Sequence, residues 1–248
     1  EHQQKVDRLE ALKRRRRQKK DKEPIPLLAL SDPNDLAVEA LHSLRTSLHF
    51  AMMEATNKVL MVSGPSPGVG KSFVSANLAA VLAQTGQRVI VIDADMRKGH
   101  MHRLFDNRNN AGLSDYLSGQ KEQDAVIQAS KMENLAFIPR GQVPPNPSEL
   151  LMHNRFKSLM ESLSGQYDIV LVDTPPILAV TDAAIVGQLA GSSLIVTRFG
   201  VNSVKEVDIT LTRFAQNNVE IKGAILNCME RRASNEYGYY NYEYKQDT

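Results

Sequence analysis

A glycine-rich segment between a predicted strand and a predicted helix carries residue types that bind phosphate groups. The segment is SGPSPGVGKSF, residues 63–73. Gly70, Lys71 and Ser72 match the end of the pattern G-x-x-x-x-G-K-[ST], whose first glycine position is occupied here by a proline. Glycines let backbone N–H groups turn toward a phosphate, and the following helix adds partial positive charge. Lys71 would reach the β- and γ-phosphates, and the Ser72 hydroxyl would bind Mg²⁺. The residues expected to contact the nucleotide are Gly68, Val69, Gly70, Lys71, Ser72 and Phe73.

Three aspartates at the ends of two apolar runs supply the carboxylates that a phosphate site needs. Asp93 and Asp95 end the first run, VIVIDADMR, and Asp173 ends the second, IVLVDTPP. In an open α/β sheet, ligands bind beyond the carboxyl ends of the strands, so these carboxylates fall on the same edge as the glycine-rich segment. A lone aspartate at a strand end more often caps a helix or pairs within a loop. The set with Lys71 and Ser72 favours a nucleotide site.

The segments that would hold this site alternate between short apolar runs and helix-length stretches. Runs of Val, Ile and Leu without polar alternation are typical of strands buried on both faces. Strands are predicted at 58–63, 88–93, 134–139, 167–173, 192–198 and 220–227. Helices are predicted at 35–55, 71–86, 148–165, 182–190 and 203–217. This alternation predicts a single α/β domain, with a mostly parallel sheet and helices on both faces.

The composition is that of an ordinary soluble globular protein, with one exception at the amino-terminal end. The 248 residues include 42% hydrophobic and 23% charged residues, and the single cysteine, Cys228, suits a reducing compartment. Residues 1–22 carry ten Lys or Arg and four Asp or Glu, a net charge of +6, while the whole chain carries +2. Such a basic arm is typical of a solvated segment, of attraction to anionic lipid, or of nucleic-acid binding. No stretch of about 18 apolar residues is present, so no membrane-spanning segment is expected.

The segment YGYYNYEY, residues 237–244, concentrates aromatic residues that a packed core would distribute. Five of the seven tyrosines of the chain lie in it: Tyr237, Tyr239, Tyr240, Tyr242 and Tyr244. A surface that stacks nucleic-acid bases would be basic, but here Glu236, Glu243 and Asp247 outnumber the nearby lysine. No apolar element follows the cluster, which predicts a flexible tail.

Together these motifs resemble the kinase domain of the bacterial tyrosine kinases of the Wzc type, which serve capsule and exopolysaccharide export. VIVIDADMR is similar to their Walker A′ motif, and IVLVDTPP is similar to their Walker B motif. RGQVPPNPSELL (140–151) and PILAVTDAAIVG (176–187) resemble further segments of that family. The resemblance covers about residues 30–248. It implies a P-loop NTPase fold, bound ATP/ADP and Mg²⁺, and an ATP-dependent protein-tyrosine autokinase unrelated in fold to eukaryotic kinases.

The resemblance also implies a location and a set of partners. It implies the cytoplasmic face of the bacterial inner membrane, with transmembrane helices upstream, so that the basic arm would lie under the bilayer. The tyrosine cluster would be phosphorylated in trans within a homo-oligomeric ring, of which an octamer is one size. A cognate tyrosine phosphatase and the polysaccharide export machinery are implied partners, and nucleic acid is not. The implied limits are 1–30 for a basic juxtamembrane arm and linker, 31–228 for the kinase domain and 229–248 for the tail.

The family's catalytic residues carry over to matching positions in this chain. Lys71 would be catalytic as well as phosphate-binding. Asp95 and Asp173, with Ser72, would hold the metal, largely through its waters because Mg²⁺ dehydrates reluctantly. Asp93 is the candidate base for the tyrosine hydroxyl. A carboxylate is a weak base for a phenol, but a loose phosphoryl transfer tolerates a residue that mainly orients the nucleophile.

Two further residues are expected at the nucleotide. Arg97 completes the Walker A′ motif and would either neutralise phosphate charge or pair with a carboxylate. Asn227, at the end of the last predicted strand, would read adenine through its side-chain amide.

The resemblance also frames an alternative function. ATPases of the MinD and ParA type share the fold and act as switches without protein kinase activity. They carry a signature lysine at the position of Ser66 in this chain. The serine at that position, and a tyrosine cluster for which a switch has no need, favour the kinase.

The helix predicted at 35–55 carries a candidate oligomer interface. Glu39, His42 and Arg45 are three residues apart and therefore share one helix face. The family pattern there is E-x-x-R-x-x-R, used for ring assembly, and His42 departs from it; a solvated helix face is the other interpretation. A second departure is His100, at a position where some members have a regulatory tyrosine.

Overall fold

The computed structural model describes residues 27–229 and contains a seven-stranded sheet covered by helices. The predictions for the basic arm before residue 27 and for the tyrosine cluster after residue 229 lie outside the described residues. Between residues 27 and 229, no helix combines the length and the apolar character needed to cross a membrane.

The sheet is mostly parallel, as predicted. Its strands are β1 Val59–Ser63, β2 Val89–Asp93, β3 Gln128–Ala129, β4 Leu135–Ile138, β5 Ile169–Asp173, β6 Ser192–Arg198 and β7 Gly223–Asn227. Their order across the sheet is β3-β4-β2-β5-β1-β6-β7. All neighbours pair in parallel except β3, which pairs antiparallel with β4. The six predicted strands are confirmed, and β3 is an additional edge strand. With two residues it is too short to leave a periodic pattern in the sequence.

The five predicted helices are present, one of them broken in two, together with three short helices. They are α1 Leu28–Ser31, α2 Leu36–Met53, α3 Lys71–Ala83, α4 Leu113–Leu117, α5 Gln123–Val126, α6 Pro147–Met152, α7 Asn154–Gln166, α8 Asp182–Gly187 and α9 Val204–Gln216, with a 3₁₀ turn at Met101–Arg103. Of these, the short helices α1, α4 and α5 were not predicted. The single helix predicted at 148–165 is two helices, because His153 adopts an extended conformation between α6 and α7 (φ −70°, ψ 145°). Its Nδ1 accepts a hydrogen bond from the Arg155 backbone N–H at 3.2 Å, so His153 caps α7.

The linker predicted to run to residue 30 ends earlier in the structure. Leu27 and Ala29 are buried against the core. The Ala29 backbone N–H donates to the side-chain oxygen of Asn77, on α3, at 3.0 Å. Because a buried N–H group needs a partner, this bond fixes α1 on the folded body. Residues 27–30, which the sequence analysis placed in the linker, therefore pack on the folded body, and the limit of the domain stays a prediction.

The core has one layer on each side of the sheet. Strands β1, β2 and β5 are buried at every residue, as predicted for strands covered on both faces. Alternate strand residues such as Leu60 pack with α2 and α3 on one face. Intervening residues such as Met61 pack with α7, α8 and α9 on the other. In α3, 11 of 13 residues are buried, so the amino-terminal end of this helix is held rigidly at the edge of the sheet.

Candidate active site

The loop between β1 and α3 is shaped by glycines in a left-handed conformation. Gly68 has φ +78° and Gly70 has φ +96°, a region that side chains other than glycine adopt at a cost. A Cβ atom at Gly70 would lie 2.2 Å from the Asn227 side-chain nitrogen, so this glycine is required for space as well as for conformation. Gly70 immediately precedes α3, so the loop leads into a helix N-terminus, as in phosphate-binding loops.

Lys71 is enclosed by this loop. Its side chain is 8% exposed, and a Cβ atom at Gly64 would lie 3.3 Å from the Lys71 Cδ. Burial lowers the pKa of Lys71, and the negative charges of Asp173 and Asp95 oppose that shift. The lysine therefore lies between the loop and two of the predicted carboxylates.

Asp173 is buried and accepts hydrogen bonds from two serines at the start of α3. The register of β1 and β5 pairs Val62 with Asp173, which brings this carboxylate to the start of the loop. The Ser72 hydroxyl donates to its Oδ2 at 2.6 Å, and the Ser75 hydroxyl donates to its Oδ1 at 3.0 Å. Burial raises the pKa of Asp173 to about 6, although the bond from Ser72 and the charge of Lys71 lower it. The carboxylate thus holds Ser72, the residue predicted to bind Mg²⁺.

Asp93 lies beside Asp173 and is sealed from solvent. The register of β2 and β5 pairs the two aspartates directly. Asp93 is 0% exposed, and its Oδ2 accepts a hydrogen bond from the Met101 backbone N–H at 3.1 Å. Its Oδ1 has no hydrogen-bond partner among the described residues, and a Cβ atom at Gly99 would lie 2.2 Å from it. Burial, and next the charge of Asp173, raise the pKa of Asp93 well above its ordinary value.

Asp95 lies in the turn that follows β2 and is partly buried. Its Oδ1 accepts hydrogen bonds from the backbone N–H groups of Arg97 at 3.2 Å and Lys98 at 2.9 Å. Its charge acts on both Lys71 and Asp173. The structure therefore gathers all three predicted aspartates and the loop lysine at one edge of the sheet.

Two predicted nucleotide contacts have protein partners in the structure. Arg97 forms an ion pair with the buried Asp182, with Nε–Oδ2 at 3.0 Å. This is one of the two roles predicted for Arg97, the pairing with a carboxylate. The Asn227 side-chain nitrogen donates to the Val69 carbonyl oxygen at 3.0 Å, which joins the end of β7 to the glycine-rich loop. A contact of Asn227 with adenine stays a prediction.

Sequence reasoning missed several residues that support the loop. The Arg198 Nη1 donates to the Gly68 carbonyl at 3.1 Å, and the Asn202 side chain donates to the Ser66 hydroxyl at 2.9 Å. Arg198 ends β6 and Asn202 follows it, and the carboxyl end of β6 lies beside the loop. The strand-end rule that found the aspartates therefore applies to them as well. Ser75 also had a signal, since it lies one helical turn after Ser72.

The oxygen atoms present here fit Mg²⁺. Its preferred ligands are carboxylate, hydroxyl, phosphate and water oxygens. Ser72, Asp95 and Asp173 supply such oxygens near Lys71. No group of three His, Cys, Asp or Glu side chains within residues 27–229 forms a complete metal cage. A phosphate-bound Mg²⁺ does not need one, because it keeps several waters and takes only one or two protein carboxylates.

The predicted oligomer face lies on the exposed side of α2. Glu39 is exposed, and His42 and Arg45 are partly buried. Val38, Leu41 and Leu48 form the buried side of the helix, against α3. The face is therefore available on the monomer, and its use in a ring stays a prediction.

The loop, the buried lysine and the converging aspartates define a P-loop nucleotide-binding protein. A family model described as "AAA domain" matches residues 57–222. The chain is 58% identical over 224 residues to the tyrosine-protein kinase wzc of Salmonella typhimurium, covering 90% of this chain and 31% of that protein. The chain thus spans about three tenths of the length of that curated relative.

Solved structures give the same result for the domain itself. The kinase domain of Escherichia coli tyrosine kinase ETK superposes with a TM-score of 0.82 at 54% identity, over 88% of this chain and 86% of that chain. MinD from Pyrococcus horikoshii, solved with Mg-ADP, has a TM-score of 0.57 at 23% identity, over 68% of this chain and 69% of that chain, and shares the fold alone. The chain belongs to the bacterial tyrosine kinase family.

Proposed function

We propose that the domain transfers the γ-phosphate of ATP to protein tyrosines, with its own tyrosine cluster as the principal substrate. The observation that carries this proposal is the convergence of Lys71, Asp93, Asp95 and Asp173 around the glycine-rich loop. The likeness to a solved tyrosine kinase domain over 86% of that chain supports the same reaction.

In the proposed reaction, the tyrosine oxygen forms a bond to the γ-phosphorus while the bond from phosphorus to the bridging oxygen of ADP breaks. Lys71 and the loop N–H groups stabilise the charge on the phosphates. Mg²⁺, when bound, would neutralise negative charge on the phosphates. Ser72, Asp95 and Asp173 are the proposed residues that hold it. These assignments follow from the oxygen chemistry of the three side chains and their closeness to Lys71.

Asp93 is the proposed acceptor of the tyrosine proton. Its raised pKa makes its ionised form a stronger base than an ordinary aspartate, and its Oδ1 has no hydrogen-bond partner in residues 27–229. Because Gly99 lies against that oxygen, the segment 99–101 must move before a substrate hydroxyl can reach it. Arg97 and Asn227 are proposed to keep the loops around the nucleotide in place.

The phosphorylated segment and its setting are part of the same proposal. Tyr237, Tyr239, Tyr240, Tyr242 and Tyr244 are the proposed acceptors. Tyr237 lies ten residues after Asn227, and an extended chain spans at most about 3.3–3.6 Å per residue, so Tyr237 is within roughly 33–36 Å of the sheet edge. That distance is sufficient for the site of a neighbouring subunit in a ring assembled through Glu39, His42 and Arg45.

Each phosphate would add about −1.5 to −2 charge at pH 7, so successive phosphorylation gives a graded repulsion between subunits. We place this cycle at the cytoplasmic face of the bacterial inner membrane, with the basic arm against the lipid. A cognate phosphatase would reset it, and the polysaccharide export machinery would respond to it.

The test is a transfer assay with the purified chain, Mg²⁺ and ATP, followed by mass spectrometry of phosphotyrosine. The matched variants are Lys71→Met and a chain with all five cluster tyrosines changed to Phe. We expect phosphate in residues 237–244 of the wild type and none in the Lys71→Met variant. Absence of phosphate from this segment, or equal phosphate in the Lys71→Met variant, would exclude the autokinase and leave a nucleotide switch of the MinD type.

Dilution of the active protein tests transfer between subunits. If transfer is in trans within a dissociable ring, the rate per molecule falls as the chain is diluted. A rate independent of concentration would favour transfer within one chain or within a ring that does not dissociate. Light scattering before and after phosphorylation then tests the charge repulsion, for which unchanged size would be the contrary result.

A further inference from the structure

A buried aspartate that the sequence analysis did not name as a site residue holds the Walker A′ arginine, Arg97. Asp182 is the first residue of α8 and is 0% exposed. One edge of the Arg97 guanidinium donates two hydrogen bonds to it: Nε–Oδ2 is 3.0 Å and Nη2–Oδ1 is 3.2 Å. The Ser148 hydroxyl, on α6, donates to Asp182 Oδ1 at 2.6 Å, and Arg97 Nη2 donates to that hydroxyl at 3.0 Å. The three side chains therefore form a closed network that joins the loop after β2 to two helices.

This network makes it unfavourable for Arg97 to leave Asp182. A fully buried carboxylate is strongly destabilised when its charged partner is removed. If Arg97 turned toward a bound phosphate, Asp182 would keep only the hydrogen bond from Ser148 among its described side-chain partners. Arg97 is also bidentate, a geometry that fixes the orientation of both groups. Two guanidinium nitrogens of Arg97, Nε and Nη2, are therefore engaged by protein groups, although 38% of its side chain is exposed.

The backbone of Arg97 carries the effect of this network to the predicted metal-binding aspartate. The Arg97 N–H donates to Asp95 Oδ1 at 3.2 Å, and the adjacent Lys98 N–H donates to the same oxygen at 2.9 Å. The Arg97 carbonyl accepts a bond from Arg140 Nη1 at 3.3 Å. A turn fixed through its arginine side chain therefore fixes the side chain of Asp95.

We propose that Arg97 and Asp182 form a positioning clamp that orients Asp95 toward the metal-nucleotide complex, and that Arg97 is not a phosphate ligand. Ser148 is the third member of the clamp. This inference rests on the nucleotide site proposed above. Asp182 and Ser148 act through Arg97 and do not touch the nucleotide.

The test measures the affinity for a fluorescent ADP analogue, mant-ADP, in EDTA and in saturating Mg²⁺. Arg97→Met and Asp182→Asn remove the two sides of the clamp. Substitutions next to a metal ligand commonly reduce metal affinity or activity by about 10- to 100-fold. We therefore expect each variant to lose at least about tenfold in affinity in Mg²⁺ and to match the wild type in EDTA, because the glycine-rich loop is intact.

A direct phosphate contact by Arg97 predicts a different pattern. Arg97→Met would then lose affinity in EDTA as well, and Asp182→Asn would free the arginine and keep or increase affinity. Either result would overturn the clamp. The double variant gives a second criterion: members of one clamp lose no more together than the worse single variant, whereas independent contacts multiply their losses.

Two controls separate positioning from general destabilisation. Arg88 and Asp168 form another bidentate pair, at the amino-terminal ends of β2 and β5, and Arg88→Met should leave both affinities unchanged. Ser148→Ala removes one hydroxyl from the clamp and should give a smaller loss, again only in Mg²⁺. It keeps the proposal testable if Asp182→Asn does not fold. A loss for Ser148→Ala that is equal in EDTA would contradict the proposal.

The binding assay also keeps the two proposals distinct. A wild type that binds mant-ADP more tightly in Mg²⁺ but forms no phosphotyrosine would refute the kinase and leave the clamp in place. A wild type whose binding does not strengthen in Mg²⁺ would refute the clamp directly.

Discussion

Replacement of Asp173 by asparagine should stabilise the nucleotide-free, metal-free protein at neutral pH. Burial raises the pKa of this carboxyl from 3.8 to about 6 in the folded protein. The native state therefore holds the proton more tightly than the unfolded chain does, and the contribution to stability is lost as the pH rises. The loss begins near pH 4, where the carboxyl of the unfolded chain ionises, and is complete above about pH 6.

The magnitude follows from the same pKa. One pKa unit is worth about 1.4 kcal/mol, so the ionised Asp173 costs about 3 kcal/mol above pH 7 and about 1 kcal/mol at pH 4.5. Asparagine has nearly the same shape and no charge. The Ser72 and Ser75 hydroxyls, which now donate to the two carboxylate oxygens, can donate to an amide oxygen and accept from an amide nitrogen. The variant should therefore keep the hydrogen bonds of Ser72 and Ser75 and lose most of the free-energy cost of the buried charge.

The assay is urea denaturation of wild type and Asp173→Asn between pH 4.5 and 8, in EDTA. The variant should gain about 3 kcal/mol at pH 7.5, or roughly 6–12 °C in Tm for a domain of this size, and only about 1 kcal/mol at pH 4.5. The difference between the two proteins removes the slope that the burial of Asp93 gives to both. The charge of Asp173 also raises the pKa of Asp93, so its removal adds to the advantage of the variant as the pH rises.

Asp168→Asn is the matched control with the opposite sign. The hydrogen bonds from Arg88 lower the pKa of Asp168, so its ionised form stabilises the folded protein and that stabilisation is lost as the pH falls. This pair is exposed, so the effect of its removal should be small. If Asp173→Asn does not exceed the wild type in stability at pH 7.5, or if its advantage is constant with pH, the buried-charge argument is wrong.

Three further predictions concern the loop and the core. Gly70→Ala should reduce mant-ADP affinity by more than tenfold and lower the free energy of unfolding by about 1–2 kcal/mol. A Cβ at Gly68 meets no protein atom within 4 Å, so Gly68→Ala should lower the free energy of unfolding only by the backbone cost of about 1 kcal/mol. Asn227→Ala should weaken mant-ADP binding. Added to Gly70→Ala, it should partly restore stability, because it removes the side-chain nitrogen that lies 2.2 Å from the new Cβ. Purely additive losses in the double variant would contradict this explanation. Phe156→Ala should lower the free energy of unfolding in urea by about 3–5 kcal/mol, because the ring is fully buried. Phe50 is 65% exposed, so Phe50→Ala should change it by less than about 0.5 kcal/mol. Similar losses for the two variants would refute the core assignment.

The strands and the phosphate loop were predictable because their signals are local. Runs of Val, Ile and Leu reflect burial on both faces, and the glycine, lysine and serine of the loop are adjacent in sequence. The strand-end rule then placed Asp93, Asp95 and Asp173 at one edge without knowledge of the strand order. These aspartates meet at one edge because Asp93 and Asp173 end β2 and β5, which pair in parallel, and Asp95 lies two residues after β2.

The side-chain partners across the site were not predictable, because no local pattern specifies them. Arg97 and Asp182 are 85 residues apart, and Asn227 and Val69 are 158 residues apart. Their contact depends on the strand order and the exact register. The break at His153 was missed for a related reason: both sides of it have apolar helical periodicity, and only the backbone of this one residue interrupts the helix.

The contact between Asn227 and the glycine-rich loop fixes the starting point of the tyrosine-bearing segment. The last strand ends against the loop of its own subunit, 2.2 Å from where a Cβ at Gly70 would be. The point from which the chain continues to the tyrosines therefore lies beside its own site. In the proposed kinase, a short linker to a site gives an effective concentration in the millimolar range. In the proposed reaction, transfer to a neighbour's tyrosines therefore competes with transfer to the tyrosines of the same chain. The proposed ring would favour transfer to a neighbour only if it held the neighbour's site at a comparable distance. Assembly would then determine which chain is phosphorylated.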